Sequence, residues 1–338
     1  FDLAAPPLMR YTLVRLAADR HVLIQTVHHI IADGWSVPIV LRELAALHDN
    51  PDTHALPAPA RYRDHLEWLH RSAPAASQAA WRAALDGVDE PTRLADALPP
   101  HDRGDTGFGK VSADIPAEIA DGIADWATGH GVTVSAVLGA AWGITVGRLT
   151  GRTDVLHGST VSGRGSDVPG IDDMVGLLIN TVPARTRWTP SDSLAAVVQR
   201  HAQAQAALFE HHHVALADIQ HAVGVSELFD TLVVIENYPA ADNHTAAIHV
   251  TGMEVIEAPH YPLTLMLKPG RDLHGALTHD RALLDAPTAE QVLALFRRTL
   301  AAVITEGDTT RCSDIDVLDP AGRNEVLRAG AGAPARTG

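Results

Sequence analysis

His28-His29-Ile30-Ile31-Ala32-Asp33-Gly34-Trp35-Ser36 is the stretch that decides how this chain is read. Before it runs a β-branched and aliphatic segment, His21-Val22-Leu23-Ile24-Gln25-Thr26-Val27, which predicts a strand reaching to His29. After it, Val37, Val40, Leu41, Leu44 and Leu47 recur at helical spacing. Ser36 reads as the N-cap of that helix, and Pro38 falls in its first turn, where no intrahelical N–H is lost. Two imidazoles thus stand where a strand ends, and an acid and a glycine shape the turn beyond. Loops held by rigid elements are where chains place chemistry. Strand alternation sends His28 and His29 to opposite faces, so at most one of them faces a given cleft.

Outward from this stretch, Arg10–Leu16 forms a second strand-like run, separated from the first by the polar turn Ala17-Ala18-Asp19-Arg20. The helix after Ser36 is expected to stop near Asn50-Pro51. Further helices are expected at Tyr62–His70 and Ser77–Leu85. The segment Leu98-Pro99-Pro100-His101-Asp102-Arg103-Gly104-Asp105 combines breakers and charge and marks a boundary between halves. Beyond it, strands are expected at Gly109–Ile115, Asp154–Ser162, Phe229–Glu236, Ile248–Ile256 and Leu263–Lys268. Helices are expected at Ala117–Gly129, Thr133–Thr150, Ser191–Glu210 and Thr288–Thr305. The helix at 133–150 is apolar on most faces and so belongs in a core. Alternating strands and helices favour a layered α/β architecture.

Composition removes several function classes. The chain has 338 residues, 46% of them hydrophobic, enough for two ordinary domains or one large two-lobed unit. Lys+Arg 26 against Asp+Glu 41 gives a net charge of −15, the wrong sign for a nucleic-acid footprint. One cysteine, Cys312, allows neither an internal disulfide nor a thiolate zinc site. No apolar run approaches the roughly 20 residues of a membrane span. Phe1-Asp2-Leu3-Ala4-Ala5-Pro6-Pro7 has no initiator Met and no signal-peptide pattern, and Ala331-Gly332-Ala333-Pro334-Ala335 reads as linker. The expectation is a cytoplasmic chain that is part of something longer.

His28-His29-x-x-x-Asp33-Gly34, extended by Trp35-Ser36, resembles the signature of condensation domains of nonribosomal peptide synthetases. Its shorter form, His-x-x-x-Asp-Gly, is shared with chloramphenicol-acetyltransferase-like acyltransferases. Other segments resemble further family motifs, in the family's order. They are Phe1-Asp2-Leu3 with Pro7-Leu8-Met9-Arg10, Tyr62-x-Asp64 with Trp68, and Val161-Ser162-Gly163-Arg164. The longest is Met174-Val175-Gly176-Leu177-Leu178-Ile179-Asn180-Thr181-Val182-Pro183-x-Arg185. The family's first motif is absent, which implies that the start of the N-terminal lobe is missing. Its late His-Gln-x-x-Pro-Phe-Glu motif is matched only loosely, by Glu210-His211-His212-His213-Val214-Ala215-Leu216.

The resemblance implies two chloramphenicol-acetyltransferase-like lobes in a V shape, with the active site in the cleft or tunnel between them. Residues 1–104 would then be the C-terminal part of the N-terminal lobe, 105–320 the C-terminal lobe, and 321–338 a linker toward a following domain. It implies amide formation between an upstream carrier-bound acyl or peptidyl thioester and the amine of a downstream carrier-bound aminoacyl thioester. It further implies that the domain itself binds no cofactor. Both substrates would then arrive on 4'-phosphopantetheine arms of peptidyl carrier domains, and an adenylation domain is the expected neighbour. His29 is the candidate general base. Asp33 is the candidate structural acid, pairing with Arg164 or, second, Arg185. Gly34, Trp35 and Ser36 support the turn, His28 packs, and Asn180 lies toward the acceptor substrate.

Rival features are weaker. His211-His212-His213 invites a metal reading, but consecutive helical residues share no face, and a solvated helix end is preferred. Gly104-x-x-x-x-Gly109-Lys110 ends in Val111 where a phosphate-binding loop needs a hydroxyl. No Gly-x-Ser-x-Gly elbow supports a serine hydrolase. Within the superfamily, cyclisation domains resemble this chain less, because aspartates replace the histidines. Epimerisation domains share the histidine pair but carry a later Glu-Gly-His-Gly-Arg, and plant-type acyltransferases a late Asp-Phe-Gly-Trp-Gly; neither occurs here. A catalytically silent recruitment domain of the same fold remains the alternative of a different class.

Overall fold

The computed structural model describes residues 1–51, 56–72, 74–99, 106–236, 251, 260–269, 273–318, 322–324 and 327. The chain opens with a hairpin, β1 (Met9–Arg15) and β2 (His21–Val27), antiparallel with Met9 opposite Val27 and Arg15 opposite His21. Its turn closes on the Arg20 carbonyl, which accepts from the amides of Leu16 and Ala17. Leu13, Val14, Val22, Leu23 and Ile24 are all exposed on this ribbon. Then come α1 (Ser36–Asp49), α2 (Tyr62–Arg71) and α3 (Pro74–Ala84).

The larger sheet has six strands: β3 (Phe108–Asp114), β4 (Asp154–Val161), β5 (Asn180–Arg187), β6 (Thr231–Ile235), β7 (Leu263–Lys268) and β8 (His274–Asp280). Their spatial order is β3-β8-β7-β6-β4-β5. The pairs β4/β6 and β6/β7 are parallel and the others antiparallel. The central strand β7 buries Leu263, Leu265 and Leu267 on one face and Thr264 on the other, as a strand covered on both sides must.

Helices α4 (Ala117–Gly129), α5 (Val134–Thr150), α6 (Leu194–Ala207), α7 (Leu216–Val223) and α8 (Ala286–Glu306) complete the layers. Three of these five helices, α5, α6 and α8, start on a side-chain cap. The Thr133 hydroxyl accepts from the Ala136 amide at 3.1 Å, the Ser193 hydroxyl from Ala196 at 3.3 Å, and the Asp285 carboxylate from Thr288 at 2.9 Å. α5 touches β4, β5 and β6 and packs beside α4, α6 and α8. Its residues 136–147 are all buried, as its all-round apolar sequence predicts. Glycines make that close packing possible: a Cβ on Gly143 would fall on the Thr186 hydroxyl, and one on Gly147 on the Trp188 ring. Among the described residues no single helix is long and apolar enough to cross a membrane. The pair α4–α5 reaches that length only together and is bent by 108°.

Several expectations need correction. β2 ends at Val27, so His28 and His29 lie outside the strand, and alternation does not set their directions. Val175–Ile179 is no strand; β5 starts at Asn180, because the amides of 178 and 179 are bonded to a side chain instead. Helix α7 and strand β8 were not foreseen. The expected strand Ile248–Ile256 lies outside the described residues apart from residue 251, as do residues 100–105 of the boundary segment and most of 321–338. Helix α3, which precedes that segment, and the residue after it pack Trp81 and Leu85 in one cluster with Leu156, Val182, Ile219 and Leu228 from the later half.

Candidate active site

The histidine stretch folds as a 3-10 turn over His29–Ile31. His28 caps it: its Nδ1 accepts from the Ile30 amide at 3.1 Å, and the Phe1 ring meets its edge. The His29 side chain is exposed. Thus His28, expected only to pack, instead caps the turn, and His29 is exposed on it.

What fixes the turn in space is Asp33. Its side chain is 0% exposed and Arg164 opposite is 4% exposed. Oδ2 accepts from Arg164 Nη1 at 3.0 Å and from the amides of Leu178 at 3.0 Å and Ile179 at 3.2 Å. Oδ1 accepts from Arg164 Nη2 at 3.2 Å, the Ser36 amide at 2.9 Å and the Ser36 hydroxyl at 2.8 Å. Burial alone would push this carboxyl up. Arg164, by hydrogen bond and charge, with the Leu178 amide and the Ser36 hydroxyl, holds it below the ordinary carboxylate value. A buried ion is tolerable only when so fully engaged.

Ser36 is the first residue of α1, and the preceding Trp35 occupies the cap position without a capping bond. The expected N-cap role is therefore wrong. The Ser36 hydroxyl faces the Asp33 carboxylate and Gly176, whose carbonyl lies at 3.0 Å and amide at 3.1 Å. The Asp33 amide donates to the same Gly176 carbonyl at 3.1 Å. Arg164 also donates to the Met174 carbonyl at 3.1 Å and lies over the Trp35 ring, its Cζ 5.6 Å from the centroid. Gly34 is half-buried between these partners.

Arg185, the second candidate for Asp33, is engaged elsewhere. It meets Asp154 at 2.6 Å and the carbonyls of Ala84 and Asp86 at 3.0 and 2.8 Å. Asn180 spends both amide hydrogens on the carbonyls of His212 and Val214, at 2.8 and 2.7 Å. It ties β5 to the histidine triplet. That triplet is not a solvated helix end, which corrects the expectation. His211 Nδ1 lies 3.0 Å from the Ser77 hydroxyl, and His213 meets the Trp68 ring edge-on. Burial, then its two imidazole neighbours, push His212 down to about 4. Among the described residues no group of His, Cys, Asp or Glu could hold a metal ion.

Sequence reasoning gave too little weight to Tyr62, Gly176 and Met174. Glycine and methionine side chains carry no polar chemistry, and the Tyr62 phenol acquires its role only from a tertiary partner, although each lies in a motif quoted above. Tyr62 donates its hydroxyl to the Leu177 carbonyl at 2.7 Å. A Cβ on Gly176 would enter the Tyr62 ring, so the glycine is what lets that ring approach.

A family model described as Condensation domain matches residues 1–327. Chondramide synthase cmdD of Chondromyces crocatus is 34% identical over 333 residues, 95% of this chain but 8% of that protein. The chain thus spans under a tenth of that relative. The X-domain from teicoplanin biosynthesis, also solved in complex with OxyB, aligns with a TM-score of 0.78 at 24% identity over 94% of this chain and 76% of that one. The first condensation domain of the CDA synthetase aligns with a TM-score of 0.75 at 20% identity over 94% and 72%.

Proposed function

The chain belongs to the condensation-domain family of the nonribosomal peptide synthetases, and on that premise we propose that it joins an upstream carrier-bound acyl or peptidyl thioester to the amine of a downstream carrier-bound aminoacyl thioester. The amine nitrogen attacks the thioester carbonyl. The C–N bond forms, the C–S bond breaks, and the donor arm leaves as a thiol. His29 takes a proton from the attacking nitrogen and returns it to the departing sulfur.

One observation carries this reading: an exposed imidazole stands on a turn that a buried, six-bonded carboxylate holds rigid. A site that must hold a reacting atom in line needs its support buried and its base accessible. An α-amine with a pKa of about 7.7–8.0 is partly protonated near neutrality, so an imidazole within reach helps by about 10²–10⁴-fold. Holding two tethered substrates in line contributes up to about 7–11 kcal/mol, so positioning outweighs proton transfer. Asp33, Arg164 and Ser36 act by holding the turn, and Gly34 leaves room for a backbone amide beside the developing oxyanion. Asn180 serves by anchoring residues 212–214 rather than by offering amide hydrogens to a substrate. Carrier domains and an adenylation domain are the partners this role requires, with 4'-phosphopantetheine arms bringing both substrates.

The test is a condensation assay with two loaded carrier proteins, read by mass spectrometry of the pantetheine arms. Donor-dependent peptide on the acceptor arm supports the reading, and His29→Ala is expected to slow it by 10²-fold or more. Wild-type rate in a folded His29→Ala protein would remove His29 from the chemistry. A second reading, a recruitment scaffold, is favoured by the fold shared with an X-domain that is known in complex with OxyB. Carrier binding without product would support it. A product whose stereocentre inverts without a new amide would point to epimerisation.

A further inference from the structure

Residues 176–179 run between two sets of hydrogen-bond partners. On one side, the Gly176 carbonyl and amide and the Leu178 and Ile179 amides all bond to Asp33 or Ser36. On the other side, the intervening Leu177 carbonyl accepts from the Tyr62 hydroxyl at 2.7 Å. The Tyr62 ring presses against the Gly176 Cα and packs on Val168, Ile171, Met174 and Leu178. Tyr62 therefore grips the segment from behind while the histidine turn hangs on its front. The link from phenol to imidazole is short: Leu177, Gly176, the Asp33 amide, then the turn that projects His29.

We propose that Tyr62 is a positioning residue for the condensation proposed above, setting the height of the 176–179 segment and through it the reach of His29. This rests on that reading for its chemistry but not for its geometry. Burial, with the Asp33 charge behind it, raises the Tyr62 hydroxyl above its ordinary value, so it stays a donor throughout the neutral range. Tyr62→Phe removes the grip and keeps the ring. A shift well under an ångström at a reacting group is costly, since a misplacement of about 1 Å lowers a rate about 10²-fold.

The experiment compares wild type, Tyr62→Phe and Thr145→Val in the two-carrier assay. Thr145 is a buried core hydroxyl on α5, bonded to the Ala141 carbonyl and the Thr299 hydroxyl and to nothing in the turn or the 176–179 segment. Tyr62→Phe is expected to lower kcat about tenfold, with KM for both loaded carriers within about twofold, while Thr145→Val keeps kcat. In parallel, the His29 imidazole signal is followed by NMR and assigned by its loss in His29→Ala. That signal is expected to move in Tyr62→Phe and stay in Thr145→Val. An unmoved His29 signal overturns the proposal, as does an equal loss of kcat in both variants. If wild type forms no peptide, the condensation reading fails, and the His29 signal alone decides the role of Tyr62.

Discussion

Replacing Asp33 by asparagine keeps the shape of the side chain and removes its charge. The carboxylate accepts from Arg164 twice, from the Leu178 and Ile179 amides, and from the amide and hydroxyl of Ser36. An asparagine NH₂ placed at the Oδ2 position would face three N–H donors, and placed at Oδ1 it would face two plus a hydroxyl. The second arrangement is cheaper, because Ser36 can turn its proton toward Gly176, yet Arg164 is still left without a counter-charge in the interior. Breaking a buried pair costs about 3–5 kcal/mol. Set against a total stability of roughly 5–15 kcal/mol, that is a large share. With about 2.1 cal/mol/K of unfolding entropy per residue, the melting midpoint is expected to fall by about 4–7 °C. The comparison variant is Asp173→Asn. Its pair with Arg42 has an N–O distance of 2.9 Å but is 71% and 63% exposed. Exposed pairs contribute about 0–1 kcal/mol, so its midpoint should hardly move. Differential scanning calorimetry of both variants decides the matter. Equal shifts would refute the claim that burial and saturation, rather than distance, give Asp33 its weight. The pH sign follows from the lowered carboxyl: its stabilisation is present above the ordinary value near 3.8 and is lost as pH falls through the folded value below it.

His157 and His201 stack face to face in the core, ring centroids 6.1 Å apart, and burial pushes them down to about 4 and about 3. Folded and neutral, they lose stability as pH drops below the unfolded value near 6.5, by about 2 kcal/mol each at pH 5. Stability against urea should therefore fall less steeply between pH 6 and 5 in His201→Gln than in wild type, by about 1.2 kcal/mol over that unit; parallel slopes would contradict this. Gly143→Ala puts a methyl onto the Thr186 hydroxyl deep in the core. It should cost about 1–3 kcal/mol or more by equilibrium unfolding, and a neutral result would mean that α5 and β5 can separate freely.

The long elements were legible because their signals are local. Ala117–Gly129 and Leu263–Lys268 coincide with the expected ranges, and Thr133 caps α5 as its position before an apolar run suggests. β8 escaped because histidines and a glycine at 274, 275 and 279 blur its alternation, although its inner residues are buried. Asp33 and Arg164 were readable as a pair through motif resemblance. The bonds to the Leu178 and Ile179 amides were not, because backbone groups carry no mark in a sequence. The same limit hid Ser36: its cap-like residue type was visible, while the carboxylate that claims its hydroxyl is set by tertiary placement. The histidine triplet failed for a related reason. One-dimensional spacing shows that three neighbours share no helix face, yet says nothing of three separate partners on three elements.

The distance along the chain between Asp33 and its partners has a consequence for synthesis. Arg164 follows it by 131 residues, and the Leu178 and Ile179 amides by 145 and 146. At about 5–20 residues per second, Asp33 is synthesised roughly 7–30 s before these donors are made. During that interval it is hydrated, and the turn bearing His29 has only local bonds to shape it. The buried support of the histidine turn is thus assembled late, by closure of a long loop, and a nascent chain interrupted before residue 164 would contain both histidines without the arginine that locks their turn.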